Sequence, residues 1–272
     1  MKKIYRIFSN KSKLFFLSFF SKFLHFFDLK IIPSFSESKN QDYDYSKKTR
    51  RLIYKPKNEL FSKLIIDTSH YNSQLCKTGA YFGTNKSPQN IFGHRSGYTP
   101  YYDVLFRHLK NQNINFAEIG IENNASTKMW RKYFSKAKIY GFEYEEMKIK
   151  KAKKHGLKNT IYKKIDVTKQ ENIKKAFSKI NKKFDIIIDD STHFFEHQLN
   201  VIKNVYPFIK KNGILVIEDV FKNREKYSEK NYYKKLQSLK NCFEKIYFVE
   251  FYNVNNFTAS WKNEKLLILI KK

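Results

Sequence analysis

Cysteine, proline, glycine and arginine are all scarce in this chain. Of its 272 residues two are cysteine, five are proline and eight are glycine, and only 7 of the 54 basic residues are arginine. Two cysteines, Cys76 and Cys242, cannot build a disulfide framework or a cysteine-rich zinc module. So far apart, they read as the reduced thiols of a cytoplasmic protein. No run of 18 apolar residues occurs, so no helix is expected to span a bilayer. Acidic residues number 25 against those 54 basic ones, a formal charge of +29. Such an excess invites a nucleic-acid partner, yet arginine, the better bidentate reader of phosphate, is what is missing. Lysine, asparagine, isoleucine, phenylalanine and tyrosine are abundant together, the skew of an AT-rich coding sequence. Nucleic acid is therefore disfavoured, and the scattered lysines read as a solvated face.

The chain divides into three parts. Residues 1–32 are basic and rich in phenylalanine. Lys22 and His25 interrupt the apolar run and no small-residue cleavage site follows, which argues against a signal peptide. Ser18, Ser21, Lys22, His25 and Asp28 recur at helical spacing as a narrow polar stripe. Such a helix either lies in an anionic membrane interface, on the inner face of the membrane, or packs on the main domain or on a second subunit of a homo-oligomer. Residues 33–60 are polar and aperiodic and read as a linker. Residues 61–97 carry short apolar patches and turn signals, and the main domain is placed at 61–272.

From Tyr98 onward the pattern is regular. Helices are expected over 101–112, 125–137, 145–156, 168–180, 194–213 and about 228–240. Strands are expected at NFAEIG, KIYGFEY, TIYKKID, FDIIIDD, ILVIED, KIYFVEFY and KLLILIKK. Alternating strands and helices predict an α/β fold with a mostly parallel sheet, here seven-stranded. The last two strands have no helix between them and predict an antiparallel pair at one edge.

Ligands of open α/β sheets bind outside the carboxyl ends of the strands, so the polar residues there are the candidates. Gly120 follows the first strand and allows a tight turn. It stands without the further glycines of a diphosphate-binding loop, which disfavours NAD and FAD. Glu143 ends the second strand, 23 residues later, and a carboxylate there suits a ribose diol. Asp166 ends the third strand within reach of an adenine amino group. The fourth strand ends Asp189-Asp190-Ser191-Thr192-His193, with His197 beyond, and the fifth ends Glu218-Asp219. Carboxylates so gathered repel one another unless a cation joins them, and oxygen ligands favour Mg²⁺ or a similar hard ion over zinc. The simpler reading makes Asp190 and Asp219 helix caps. Tyr98, Tyr101 and Tyr102 either line an acceptor cleft or pack in the core.

These residues resemble the class I S-adenosylmethionine-dependent methyltransferases with their Rossmann-like sheet, and in particular the macrocin and mycinamicin type of sugar O-methyltransferase. The resemblance rests on Gly83-Thr84-Asn85-Lys86, Gly97-Tyr98-Thr99-Pro100-Tyr101-Tyr102, FAEIGIENNASTKMWRKYF, KIYGFEY, IDDSTHFFEHQL and PFIKKNGILVIED. It implies a divalent metal on Asp190, Glu218 and Asp219, and His193 as general base. It implies S-adenosylmethionine over Glu118, Gly120, Glu143, Asp166 and Asp189, and a sugar or glycan acceptor. Two motifs depart from the family: the glycine-rich turn is Glu122-Asn123-Asn124-Ala125, and Asp-Asp-Gly-Ser-His is Asp-Asp-Ser-Thr-His. The competing readings are a nucleic-acid methyltransferase, a metal-dependent oxidising enzyme of the same fold, and an inactive membrane-docked scaffold.

Overall fold

Residues 61–90, 95–222, 224–253 and 265–272 are described by the computed structural model. They belong to one unit, Pro56–Lys272. The expected amphipathic helix at 1–32 and the linker at 33–60 lie outside the described residues, as does any membrane contact they would make. Among the described residues no helix is long and apolar enough to cross a membrane.

The strands are β1 (Phe61–Asp67), β2 (Asn115–Ile119), β3 (Lys138–Glu143), β4 (Thr160–Lys164), β5 (Phe184–Asp189), β6 (Ile209–Ile217), β7 (Phe243–Tyr252) and β8 (Lys265–Lys271). The helices are α1 (Gln74–Phe82), α2 (Tyr98–Phe106), α3 (Ala125–Tyr133), α4 (Glu146–Lys154), α5 (Gln170–Ser178), α6 (Phe195–Val205) and α7 (Glu229–Leu236). The sheet order is β1-β7-β8-β6-β5-β2-β3-β4. It is mostly parallel, with the β7–β8 pair antiparallel as expected. An eighth strand joins the seven expected: β1, from the segment whose pattern was ambiguous, pairs parallel with β7. The expected long helix 194–213 is also shorter. α6 ends at Val205, and Pro207, which cannot donate to a helical ladder, sits in a single tight turn before β6 begins at Ile209. Gly213 therefore lies inside β6 rather than stopping a helix.

Why the central strands are near-continuous apolar runs follows from their burial on both faces. In β5, Ile186 and Ile188 pack with Phe106, Met129 and Trp130, whereas Ile187 packs with Leu199, Val201 and Ile202. In β8, Leu266 and Ile268 face one side, and Leu267 and Leu269 the other. Helices α1, α2 and α3 cover the first face, and α5, α6 and α7 the second. The edge strand β4 is half-exposed and ends in Lys163 and Lys164, charges that blunt an open edge.

Register brings the functional ends together. Ile119 pairs with Asp189, and Asp189 with Ile217. The ladder continues past the strands: Asp190 N donates to Ile119 O at 2.8 Å and Glu218 N to Asp189 O at 2.9 Å. The carboxyl ends of β2, β5 and β6 thus lie side by side.

Trp130 is fully buried, with Phe106, Phe116 and Phe134 around it. Trp130→Ala is expected to cost about 3–5 kcal/mol. Urea denaturation followed by circular dichroism measures it, and a loss under 1 kcal/mol would mean that this face does not carry the core.

Candidate active site

A cleft of about 880 Å³ opens at these strand ends. Its walls include Gly120, Glu143, Asp166, Asp190, His193 and Asp219. Gly120 sits at φ +87, and a Cβ there would lie 2.1 Å from the Asp190 carbonyl oxygen. Only glycine lets the tips of β2 and β5 approach so closely.

The loop after Gly120 lacks the glycines usual in the resembling family, yet it still turns through left-handed positions, Glu122 at φ 43 and Asn124 at φ 69. Asparagine tolerates this conformation better than most residues. Its side chain here bonds the Tyr162 hydroxyl at 2.9 Å and His155 Nδ1 at 3.1 Å, which ties the turn to its surroundings. Glu143 braces the same loop. Its two oxygens accept from the backbone N–H groups of Ile121, Glu122, Tyr144 and Glu145. Asp166 also lines the cleft, and one of its oxygens is engaged by Thr168.

Two expected cofactor contacts have other roles. Glu118 is fully buried, and its carboxylate accepts from Thr127 Oγ1 at 2.8 Å and Trp130 Nε1 at 3.1 Å. It anchors α3 to β2 instead of lining the cleft, because alternation along β2 turns it toward that face. Asp189 is likewise buried and holds Ser191 Oγ at 2.7 Å. Burial pushes its pKa up to about 7, against the opposing pull of Ser191 and His193.

Beyond them stands a charged cluster. Asp190, His193 and Asp219 each offer an atom within 4.8 Å of the others. His193 Nε2 is 3.5 Å from Asp219 Oδ2 and 4.0 Å from Asp190 Oδ1. His193 adopts φ 59, an uncommon conformation that aims a bulky side chain at a strand tip. Its Nδ1 is buried without a hydrogen-bond partner. Glu218, expected as the third metal ligand, is outside this trio. One of its oxygens accepts from Tyr102 Oη at 2.7 Å and the other from Lys86 Nζ at 2.5 Å. Lys86 Nζ is also 2.5 Å from Asp190 Oδ2.

Lys86, Tyr98 and Tyr102 were not assigned to the carboxylate cluster by sequence reasoning. Lys86 carried one signal, its place in the Gly83-Thr84-Asn85-Lys86 motif, but that motif was given no role. The tyrosines carry a signal, since they are four residues apart and so share one helix face. Tyr98 donates to Asp219 at 2.6 Å, and with Tyr102 on Glu218 the two strand-end carboxylates are each held by one turn of α2. The tyrosines are buried and do not line an acceptor cleft. Lys86 reaches the cluster from a segment packed on α1. Ser87 Oγ donates to Cys76 O at 2.7 Å, and a Cβ on Gly79 would come within 2.9 Å of Ser87 Cβ.

Burial opposes the charge on Lys86, but Asp190 and Glu218 more than offset it and hold its pKa above the ordinary lysine value. Burial also raises Glu218 and Asp219, opposed by Lys86 and His193 respectively. Lys86 pairs with Asp190 and Glu218 while Asp219 lies beside His193, so the carboxylates outnumber the ammonium. That excess and the spacing of the trio fit a divalent ion, whose oxygen ligands sit about 2.0–2.6 Å away.

A family model described as a methyltransferase domain matches residues 122–268. Among curated proteins, 8-demethyl-8-(2-methoxy-alpha-L-rhamnosyl)-tetracenomycin-C 3'-O-methyltransferase of Streptomyces olivaceus is 30% identical over 132 residues, 46% of this chain and 32% of that protein. Demethylmacrocin O-methyltransferase of Streptomyces fradiae is 29% identical over 140 residues, 48% of this chain and 33% of that protein. The chain thus matches about a third of the length of these relatives. Among solved structures, the MycE methyltransferase from the mycinamycin biosynthetic pathway, in complex with Mg, SAH and mycinamycin VI, superimposes with a TM-score of 0.55 at 20% identity. That match covers 74% of this chain and 55% of the other, and it shows a shared fold.

Gly120→Ala should destabilise the chain by more than the roughly 1–2 kcal/mol that a left-handed alanine costs by itself, because the tips of β2 and β5 must part. A thermal melt of the variant beside the parent tests this, and an unchanged midpoint would refute the close approach.

Proposed function

Because the chain belongs to the methyltransferase-domain family, we propose that it moves the methyl group of S-adenosylmethionine to a hydroxyl of a sugar or glycan-bearing acceptor, with a divalent ion such as Mg²⁺. The observation that carries this reading is the convergence of Asp190, His193 and Asp219 at the wall of a cleft that also holds Gly120 and Glu143. The relatives act as sugar O-methyltransferases by name, and the reading extends that chemistry to this chain.

In this reading Gly120 leaves room at the β2 turn for the nucleoside. Glu143 offers its carboxylate to the ribose hydroxyls, and Asp166 stands nearer the base. Glu118 and Asp189 support these tips from behind. Asp190 and Asp219, joined by Glu218, are the carboxylates to hold the ion. When bound, the ion lowers the pKa of an acceptor hydroxyl and fixes its direction. His193 takes the hydroxyl proton at Nε2, the nitrogen that lies beside Asp219. Tyr98 and Tyr102 keep the carboxylates from swinging away. A sulfonium is already a good leaving group, so aiming and activating the acceptor is most of what the residues must do.

The test is incubation with labelled S-adenosylmethionine, Mg²⁺ and a panel of nucleotide sugars and lipid-linked glycans. Transfer to a sugar hydroxyl is expected, and label appearing only in nucleic acid would refute the acceptor class. His193→Ala should lower turnover at least ~100-fold while calorimetry finds its cofactor affinity within about threefold of the parent. A parental rate in that variant would remove His193 as the base. EDTA should stop transfer and added Mg²⁺ restore it, whereas full activity in chelator would remove the metal from the mechanism.

A further inference from the structure

Glu218 has both oxygens in use, one by Tyr102 and one by Lys86. Asp190 gives one oxygen to Lys86 and keeps the other beside His193. Lys86 Nζ therefore bridges two carboxylates on adjacent strand ends, in a group only 1% exposed. An ammonium and a metal ion seek the same lone pairs, and charge repulsion keeps them from sharing so small a space.

We propose that Lys86 is a tethered cation that stands in for the divalent ion: it holds the β5 and β6 carboxylates together in the metal-free chain and yields Glu218 when the ion binds. The proposal rests on the metal-dependent reading above. Three features of the structure support it. The backbone around Lys86 is pinned, with Thr99 N donating to Lys86 O at 3.1 Å and the neighbouring Ser87 on Cys76. Motion is thus left to a flexible four-carbon stem, which can move its charge while the loop stays in place. Glu118, which is fully buried, also attracts the Lys86 ammonium. The arrangement gives the buried Glu218, and Asp190 beside it, a counter-charge in the metal-free protein, where an unpaired buried carboxylate is costly.

The experiment measures Mg²⁺ and Mn²⁺ binding by calorimetry, without S-adenosylmethionine, together with melting temperatures in EDTA and in Mg²⁺. The full chain is compared with Lys86→Met and Lys86→Arg. Lys86→Met removes the competitor, so Mg²⁺ should bind at least about tenfold more tightly. Its melting temperature should fall in EDTA and recover in Mg²⁺, while that of the parent changes less. Lys86→Arg places a planar fork on the same carboxylates, and should keep metal-free stability while weakening Mg²⁺ binding at least about tenfold. This variant keeps the test open if Lys86→Met does not fold. Equal or weaker Mg²⁺ binding by Lys86→Met, or unchanged binding by Lys86→Arg, would overturn the exchange and leave the metal reading standing. Absence of Mg²⁺ and Mn²⁺ binding in the parent and both variants alike would overturn the metal reading, and the exchange with it.

Discussion

One buried ammonium between the buried Glu218 and the partly exposed Asp190 sets the terms for the rest of this site. Lys86 lies 2.5 Å from an oxygen of Asp190 and the same distance from an oxygen of Glu218. Removing such charges from water is costly, and the attraction between them repays the cost only when further hydrogen bonds complete the set. Tyr102 and Tyr98 supply those bonds to Glu218 and Asp219. The acidic tips of two parallel strands can therefore stay close, with Asp190 and Asp219 at the wall of one cleft. Asp219 and the remaining oxygen of Asp190 are left beside His193, and the proposed ion and proton acceptor rest on that geometry.

The fold serves this cluster by placing it where three strands end in register. Parallel pairing of β2, β5 and β6 sets Gly120, Asp190 and Glu218 next to one another. The missing side chain at Gly120 lets the β5 tip come close. The surrounding core is rigid because both sheet faces are covered: Trp130 and its aromatic neighbours on one, Phe177, Leu199 and Tyr232 on the other. Asn124 shows how a glycine-poor loop keeps a left-handed turn, with its amide tied to Tyr162 and His155.

Particular residues show how far the chain could be read before its structure. The short apolar runs and helical periods from Asn115 to Asp219 gave the order of strands and crossover helices, because each central strand is buried on both sides. β1 was missed because its half-exposed residues lack that contrast. The length of α6 was overdrawn because its apolar spacing continues past Pro207. Gly120, Glu143, Asp166, Asp190, His193 and Asp219 were legible as strand-end residues, and all line one cleft. Glu118 and Asp189 were placed in that cleft, although Glu118 turns toward buried partners and Asp189 is itself buried behind Ser191. Tyr98 and Tyr102 were noticed, but their hydroxyl partners lie more than a hundred residues away.

By itself the sequence determined the alternating architecture and the identity of the residues at the strand tips. Both follow from local periodicity, in which each residue's environment is set by its neighbours in the chain. Tertiary structure alone decided which carboxylate meets which donor. Lys86 and Glu218 are separated by 132 positions, and a contact across that span depends on sheet order, strand register and the packing of α1 and α2, none of which is encoded near either residue.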